Sequence, residues 1–293
     1  MIARDMLTPE VDARLRAGLE KALAAGAAVL QAGGAALDAV EAAVCVLEDD
    51  PQFNAGRGAV FTADGTNELD AAIMDGANRH VGAVAGVTTV RNPVSLARAV
   101  MAHSDHVLLA GEGAEAFARA HGIEPVARDY FRTQDRWRAF EAFKAQGGFD
   151  KAMKYGTVGA VARDTHGDLA AATSTGGITG KRYGRIGDTP IPGAGTWADN
   201  RTCAVSATGS GEELLRLGVA HAIAARVRHL GELPLTAAEA VIGTELAEIG
   251  GSGGVIVIGA SGEAGWTFNS PGMYRARIAE GRVPLVCIYE DAP

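Results

Sequence analysis

Leu15, Leu19, Leu23 and Ala27 recur four residues apart, which predicts a helix beginning near residue 8. Thr8-Pro9-Glu10 gives it a cap, a first-turn proline and an acid. Gly33-Gly34 interrupts the pattern, and residues 35–47 predict a second helix that stops at Asp49-Asp50-Pro51. A loop with two glycines follows at 53–58. Alternating runs predict strands at 59–61, 68–74 and 83–90. Asn92-Pro93 opens a helix to about His103, followed by a strand at 106–110, a helix at 113–121 and a polar helix at 131–146. Residues 147–156 read as a linker.

Beyond the linker the texture changes. Residues 157–163 and 169–174 flank the turn Asp164-Thr165-His166-Gly167 and predict a hairpin. Strands are expected at 204–208, 255–258, 264–268 and 285–289, and helices at 211–226 and 235–249. Strand clusters separated by helix pairs predict an α/β layered architecture, strands sandwiched between helices, in one domain spanning residues 1–293. Small apolar strands such as Val158-Gly159-Ala160-Val161-Ala162 suit sheets covered on both faces.

Composition narrows the class. The 293 residues allow an ample core, and 47% hydrophobic with 21% charged residues is the balance of a globular protein. No apolar run approaches the roughly 18 residues of a membrane span, and no leader opens the chain, so a cytoplasmic protein is expected. The net charge of −8 is dispersed, which argues against a nucleic-acid partner. Cys45, Cys203 and Cys287 lie far apart in apolar surroundings and read as small buried hydrophobes.

The candidate chemistry centres on Thr157. A threonine opening a strand is ordinarily structural. Here Gly156 precedes it and permits strained backbone geometry, the linker can present that bond, and a rigid strand follows. Attack of the Thr157 hydroxyl on the Gly156 carbonyl would give an ester, and water would release a Thr157 amine. That amine, with a pKa of about 8, would serve as base to its own hydroxyl. None of the seven histidines sits in a Ser/His/Asp-like context.

Thr208-Gly209-Ser210-Gly211-Glu212 reads as a strand-to-helix turn, a phosphate cradle, or an oxyanion hole made by the Thr208 hydroxyl and the Gly209 N–H. Arg185 and Asp188 form either a surface ion pair or a clamp for an α-carboxylate and an α-ammonium. Thr173, Ser174 and Thr175 end the hairpin partner, and Thr175 is expected beside the nucleophile. Residues 177–182 fail the phosphate-loop spacing: Thr175 stands where the first glycine belongs, and Arg182 where Ser or Thr belongs. With no H-E-x-x-H or C-x-x-C, no catalytic metal is expected.

Leu47–Gly56, Glu68–Ala71, Met74–Gly76, the Thr157 block, Thr173–Gly177, Gly184–Gly193 and Thr208–Glu212, in that order, resemble the plant-type asparaginase and isoaspartyl-peptidase family of N-terminal-nucleophile hydrolases. The resemblance covers about residues 10–290. It implies a four-layer αββα sandwich, cleavage between Gly156 and Thr157 into portions 1–156 and 157–293, and a dimer of cleaved αβ units. The substrate would be asparagine or a β-aspartyl dipeptide. Thr157 would be the nucleophile and Thr175 its assistant. Thr208 and Gly209 would bind the oxyanion, and Arg185 and Asp188 the substrate, with Ser210 and Gly211 beside them. Asn54 would approach the nucleophile. A sodium ion would rest on backbone carbonyls of Leu47, Glu48, Asp50, Phe53, Ala55 and Arg57, with no other cofactor.

Glycosylasparaginases share much of this pattern, but usually carry Asp before the nucleophile and Asn-Gly after Thr-Ser-Thr. This chain has Gly156 and Gly176-Gly177. Family members usually open with a strand running into His-Gly-Gly-Ala-Gly. This chain begins about where that motif ends, so the usual first strand is expected to be lacking. A non-catalytic, uncleaved homo-oligomeric scaffold is the other-class reading of that departure. The short linker is expected to slow self-cleavage.

Overall fold

The computed structural model describes residues 7–147 and 156–289. Most of the expected linker, and the opening residues on which the first-strand expectation bears, lie outside that range. Helix α1 (Pro9–Gln31) starts where Thr8 Oγ1 accepts from the Val11 N–H at 3.4 Å, and it buries Leu15, Leu19, Ala22 and Gly26. That stripe packs on α2 (Ala36–Asp49), whose buried positions 36, 39, 40, 43, 44 and 47 have the same helical spacing.

Strands β1 (Leu69–Asp75), β2 (Val81–Val87), β3 (Leu108–Ala110), β4 (Val158–Arg163) and β5 (Leu169–Thr175) form one sheet in the order β3-β2-β1-β5-β4. The β1–β5 pairing is antiparallel and runs from Asp70↔Thr175 to Asp75↔Ala170. Every residue of β5 is buried. α2 covers β4 and β5, and α3 (Pro93–His103) covers β1 and β2. Covering on both faces explains why these strands read as runs of Ala, Val, Gly and Thr.

A second sheet contains β6 (Thr196–Ala198), β7 (Cys203–Gly209), β8 (Gly253–Gly259) and β9 (Ala264–Phe268), in that order. Its β7 contacts β4 and β5, and α7 (Val219–Leu230) and α8 (Pro234–Ala240) cover the other side. A two-stranded sheet joins β10 (Gly272–Arg277) to β11 (Leu285–Tyr289). β9 and β10 each end a sheet, and both line an apolar cavity of about 210 Å³ beneath α1 and α2. α4 (Gly111–Ala120) and α5 (Gln134–Ala145) complete the first half. Among the described residues no helix is long and apolar enough to cross a membrane.

Three expectations are corrected. Residues 59–61 are buried but form no strand, because their backbone bonds go elsewhere: the Val60 N–H donates to Asn54 Oδ1, and the Phe61 carbonyl accepts from Gly180. The helix expected at 211–226 is two, α6 (Gly211–Leu217) and α7, divided by Gly218 at φ +60°. The helix expected at 235–249 passes from α8 through a π-helical turn (Val241–Glu245) into α9 (Leu246–Glu248). Cys203 and Cys287 are buried as expected, whereas Cys45 is only partly so.

Candidate active site

Thr157, Thr175 and Thr208 converge from three strands in two sheets. Val158 pairs with Ser174 and Gly159 with Thr173, so Thr157, just ahead of β4, reaches the end of β5. Its Oγ1 donates to Thr175 Oγ1 at 3.2 Å. Its backbone N–H donates to Thr208 Oγ1, at the end of β7, at 3.0 Å. Thr175 thus lies beside Thr157, within hydrogen-bond reach of its hydroxyl. Thr175 Oγ1 also accepts from the Gly177 N–H at 3.0 Å, which fixes where it sits.

Side chains alternate along a strand, so residues two steps back share the same face. Behind Thr157, Thr175 and Thr208 lie Gly159, Thr173 and Ser206. Thr173 Oγ1 and Ser206 Oγ are 2.8 Å apart, and Thr196 Oγ1 lies within hydrogen-bond distance of both Thr173 Oγ1 (2.7 Å) and the Thr189 carbonyl (3.1 Å). All three hydroxyl residues are buried. Gly159 permits the approach of the sheets: a Cβ there would lie 2.9 Å from both Ser206 Cβ and the Ala172 carbonyl, and closer still to Ser206 Oγ. The hydroxyl row extends from the inter-sheet space to Thr189, the neighbour of Asp188.

Gly209 has φ +147°, and a Cβ on it would stand 2.5 Å from Gly253 Cα, so both conformation and space require glycine. Ser210 turns its hydroxyl to the Ser252 N–H at 3.1 Å, and its own N–H donates to the Ser252 carbonyl. It thus ties the start of α6 to the approach to β8.

Arg185 and Asp188 converge over Gly211. Arg185 Nη2 and Asp188 Oδ1 both crowd the point where a Gly211 Cβ would stand, the latter at 3.1 Å. Asp188 is buried, its Oδ2 has no hydrogen-bond partner among the described residues, and burial pushes its carboxyl up to about 7. An orphaned acceptor of this kind suits a cationic donor that arrives with a ligand. Arg185 meets Glu212 through Nε at 2.8 Å and Nη2 at 3.0 Å.

Asn54 lies one step from the threonines. Its Nδ2 donates to the Gly177 carbonyl at 2.7 Å, and its backbone carbonyl accepts from the Gly176 N–H at 3.0 Å. It braces the turn that holds Thr175. Lys181, buried, donates from Nζ to the Glu68 carbonyl at 3.0 Å and lies 3.9 Å from Asp70 Oδ2. Sequence reasoning missed Lys181, Asp70 and Glu212 as parts of this cluster. The only signal was their place in or beside stretches already carrying the family resemblance.

The oxygen donors of the 47–57 loop suit a cation. The carbonyl of Leu47 would pair in a longer helix with residue 51, which is proline and has no N–H. That of Glu48 would pair with Gln52, whose N–H goes instead to Asp50 Oδ1 at 3.0 Å. Carbonyl oxygens at a helix C-terminus are the hard, partly negative donors that such a cation takes, so the loop fits. The Glu48 side chain is engaged elsewhere, since its Oε1 accepts from the Val94 N–H at 3.0 Å, at the start of α3.

The chain matches the Asparaginase_2 family model, described as asparaginase, over residues 1–288. It is 47% identical to an isoaspartyl peptidase of Salmonella typhimurium, over 99% of this chain and 96% of that protein. Identity is 46% to an isoaspartyl peptidase of Escherichia coli (99% and 93%) and 44% to an isoaspartyl peptidase/L-asparaginase of Xenopus laevis (89% and 84%). The three-strand threonine cluster thus sits in a chain that belongs to the asparaginase family of amide-bond hydrolases.

Proposed function

We propose that this protein is an autoprocessing amidohydrolase that uses Thr157 as nucleophile on L-asparagine or β-aspartyl dipeptides. The observation that carries the reading is the meeting of Thr157 with Thr175 and Thr208 at 3.2 and 3.0 Å. In the first reaction Thr157 Oγ1 bonds to the Gly156 carbonyl carbon, the Gly156–Thr157 C–N bond breaks, and the nitrogen takes the hydroxyl proton. Water then cleaves the ester, leaving a Gly156 carboxylate and a free Thr157 amine.

That amine, beside Thr208 Oγ1, is the base for turnover. It takes the Oγ1 proton as the oxygen attacks the substrate β-carbonyl carbon. Charge on the carbonyl oxygen is met by the Thr208 hydroxyl and the Gly209 N–H, donors worth a few kcal/mol each when aimed at that position. The C–N bond breaks, the amine returns its proton to the leaving nitrogen, and ammonia or an amino acid departs. Water releases aspartate from Thr157. Arg185 holds the α-carboxylate and Asp188 the α-ammonium.

The architecture proposed is the four-layer αββα sandwich, supported by helices on the outer side of each sheet and by the β4–β7 and β5–β7 contacts between them. The working form is a cytoplasmic dimer of cleaved αβ units, with sodium held by carbonyls of the 47–57 loop as a structural ion. A denaturing gel with N-terminal sequencing tests the central claim. Two bands, one beginning Thr-Val-Gly-Ala-Val, are expected from the wild type and one band from Thr157→Ala, with hydrolysis lost. A lasting single wild-type band, or unchanged cleavage in Thr157→Ala, refutes it.

A further inference from the structure

Glu212 is the second residue of α6, just past the Thr208–Gly211 turn, and its carboxylate meets Arg185 fork to fork. A guanidinium has two edges able to hold a carboxylate, Nε with Nη2 and Nη1 with Nη2. Glu212 occupies the first. Nη1 lies outside that pair, 3.5 Å from the point where a Gly177 Cβ would stand. Gly177 is the residue whose N–H holds Thr175, so this side of Arg185 faces the threonine cluster. Gly187 and Gly211 press against the same guanidinium: a Cβ on Gly187 would stand 2.8 Å from Nη1, and one on Gly211 would crowd Nη2. The group is slotted between two glycine backbones, and Glu212 fixes its rotation within the slot. The side chain of Arg185 is 16% exposed and that of Glu212 55%, so the outer edge faces solvent and the inner edge the site.

We propose that Glu212 is the positioning residue of the clamp, holding the outer edge of Arg185 so that the Nη1 edge meets the substrate α-carboxylate. The proposal rests on the reading that Arg185 binds that carboxylate. It also links the oxyanion donors to the residue that aims the clamp, because one turn, residues 208–212, carries both.

The experiment compares wild type, Glu212→Ala, Glu212→Gln and Arg185→Ala, each after complete self-cleavage. Steady-state kinetics are measured with L-asparagine and with β-alaninamide, which has the same amide but no α-carboxylate. For Glu212→Ala with asparagine, KM rises about fivefold, the upper end for a half-exposed ion pair, while kcat changes less than about twofold. The Ki of L-aspartate rises by the same factor as KM. With β-alaninamide the variant and wild type have the same kcat/KM, which a general structural defect would not allow. Glu212→Gln, which keeps one acceptor, falls between. An unchanged or lowered KM for asparagine in Glu212→Ala overturns the inference, the lowered value making Glu212 a competitor for Arg185. An equal loss on both substrates also overturns it. If Arg185→Ala leaves the asparagine KM unchanged, the clamp reading itself has failed, and the two failures are thereby told apart.

Discussion

Replacing Gly159 by alanine drives one methyl between the two sheets directly behind the proposed nucleophile. The new Cβ would stand 2.9 Å from Ser206 Cβ and from the Ala172 carbonyl. Neither atom can rotate away, so β4 must withdraw by at least about 0.5 Å to restore ordinary contact at about 3.4 Å. Ser206 Oγ can swing aside, but it then gives up its 2.8 Å bond to Thr173. Overpacking of this kind costs about 2 kcal/mol, which in a chain of this size lowers Tm by about 3 °C. Thr157 lies two residues away on the same face, so it moves with β4. A displacement of about 1 Å costs about 100-fold in rate, and half of that about tenfold. The assays are a thermal melt, the rate of self-cleavage on a gel, and kcat for asparagine. Adding Ser206→Gly removes the Oγ and Cβ contacts but leaves the Ala172 carbonyl at 2.9 Å, so the double variant should recover only part of the lost rate. A Gly159→Ala protein with wild-type Tm and wild-type kcat would refute the inter-sheet reasoning.

Asp188 must be ionised to hold an α-ammonium, and its carboxyl is raised to about 7, so kcat/KM for asparagine should climb as pH rises through about 7. The Thr157 amine that the proposed cleavage would free, at about 8, would add its own acid limb. Succinamate, which lacks the ammonium, should therefore show a shallower acid limb than asparagine, and equal slopes would contradict the Asp188 assignment. Burial raises Glu48 to about 8, so the folded chain keeps a proton that the unfolded chain loses above about 4.3. Stability then falls as pH rises from about 4.3 to about 8. Glu48→Gln should gain on the wild type between about pH 5 and about pH 9, and melts with a pH-independent difference would exclude this. Thr173→Val keeps the shape but strips partners from Ser206 and Thr196, costing about 1–3 kcal/mol. Thr173→Ser should restore most of it, and equal melting of the two variants would show that the hydroxyl row does not stabilise the fold.

The three strands that carry the threonines were legible because each is a run of small apolar residues beside Thr or Gly. Expected bounds of 169–174 and 204–208 compare with Leu169–Thr175 and Cys203–Gly209. β6 is three residues long, and β10, Gly272-Met-Tyr-Arg-Ala-Arg277, carries two arginines in a run without clear alternation. Neither gave a periodic signal. Residues 59–61 misled because burial alone makes an apolar run, whether or not a ladder forms. Within the site, hydroxyls could be proposed from motifs. The second hydroxyl row, the Gly159–Ser206 approach and the Arg185–Glu212 fork depend on how distant segments face each other, which no single segment encodes.

β1 precedes residue 156 and β5 follows it, yet they pair along six positions at the centre of one sheet. A break between Gly156 and Thr157 leaves that seam as the boundary between two polypeptides. Unfolding of even a single αβ unit then becomes a dissociation, and its midpoint depends on protein concentration, whereas that of an unbroken monomer does not. The halves need no covalent tie to remain associated, because separating them would split a buried sheet and its core. Portions 1–156 and 157–293 expressed as separate chains should accordingly meet as complementary fragments, the second supplying its own terminal threonine amine once the initiating methionine is removed.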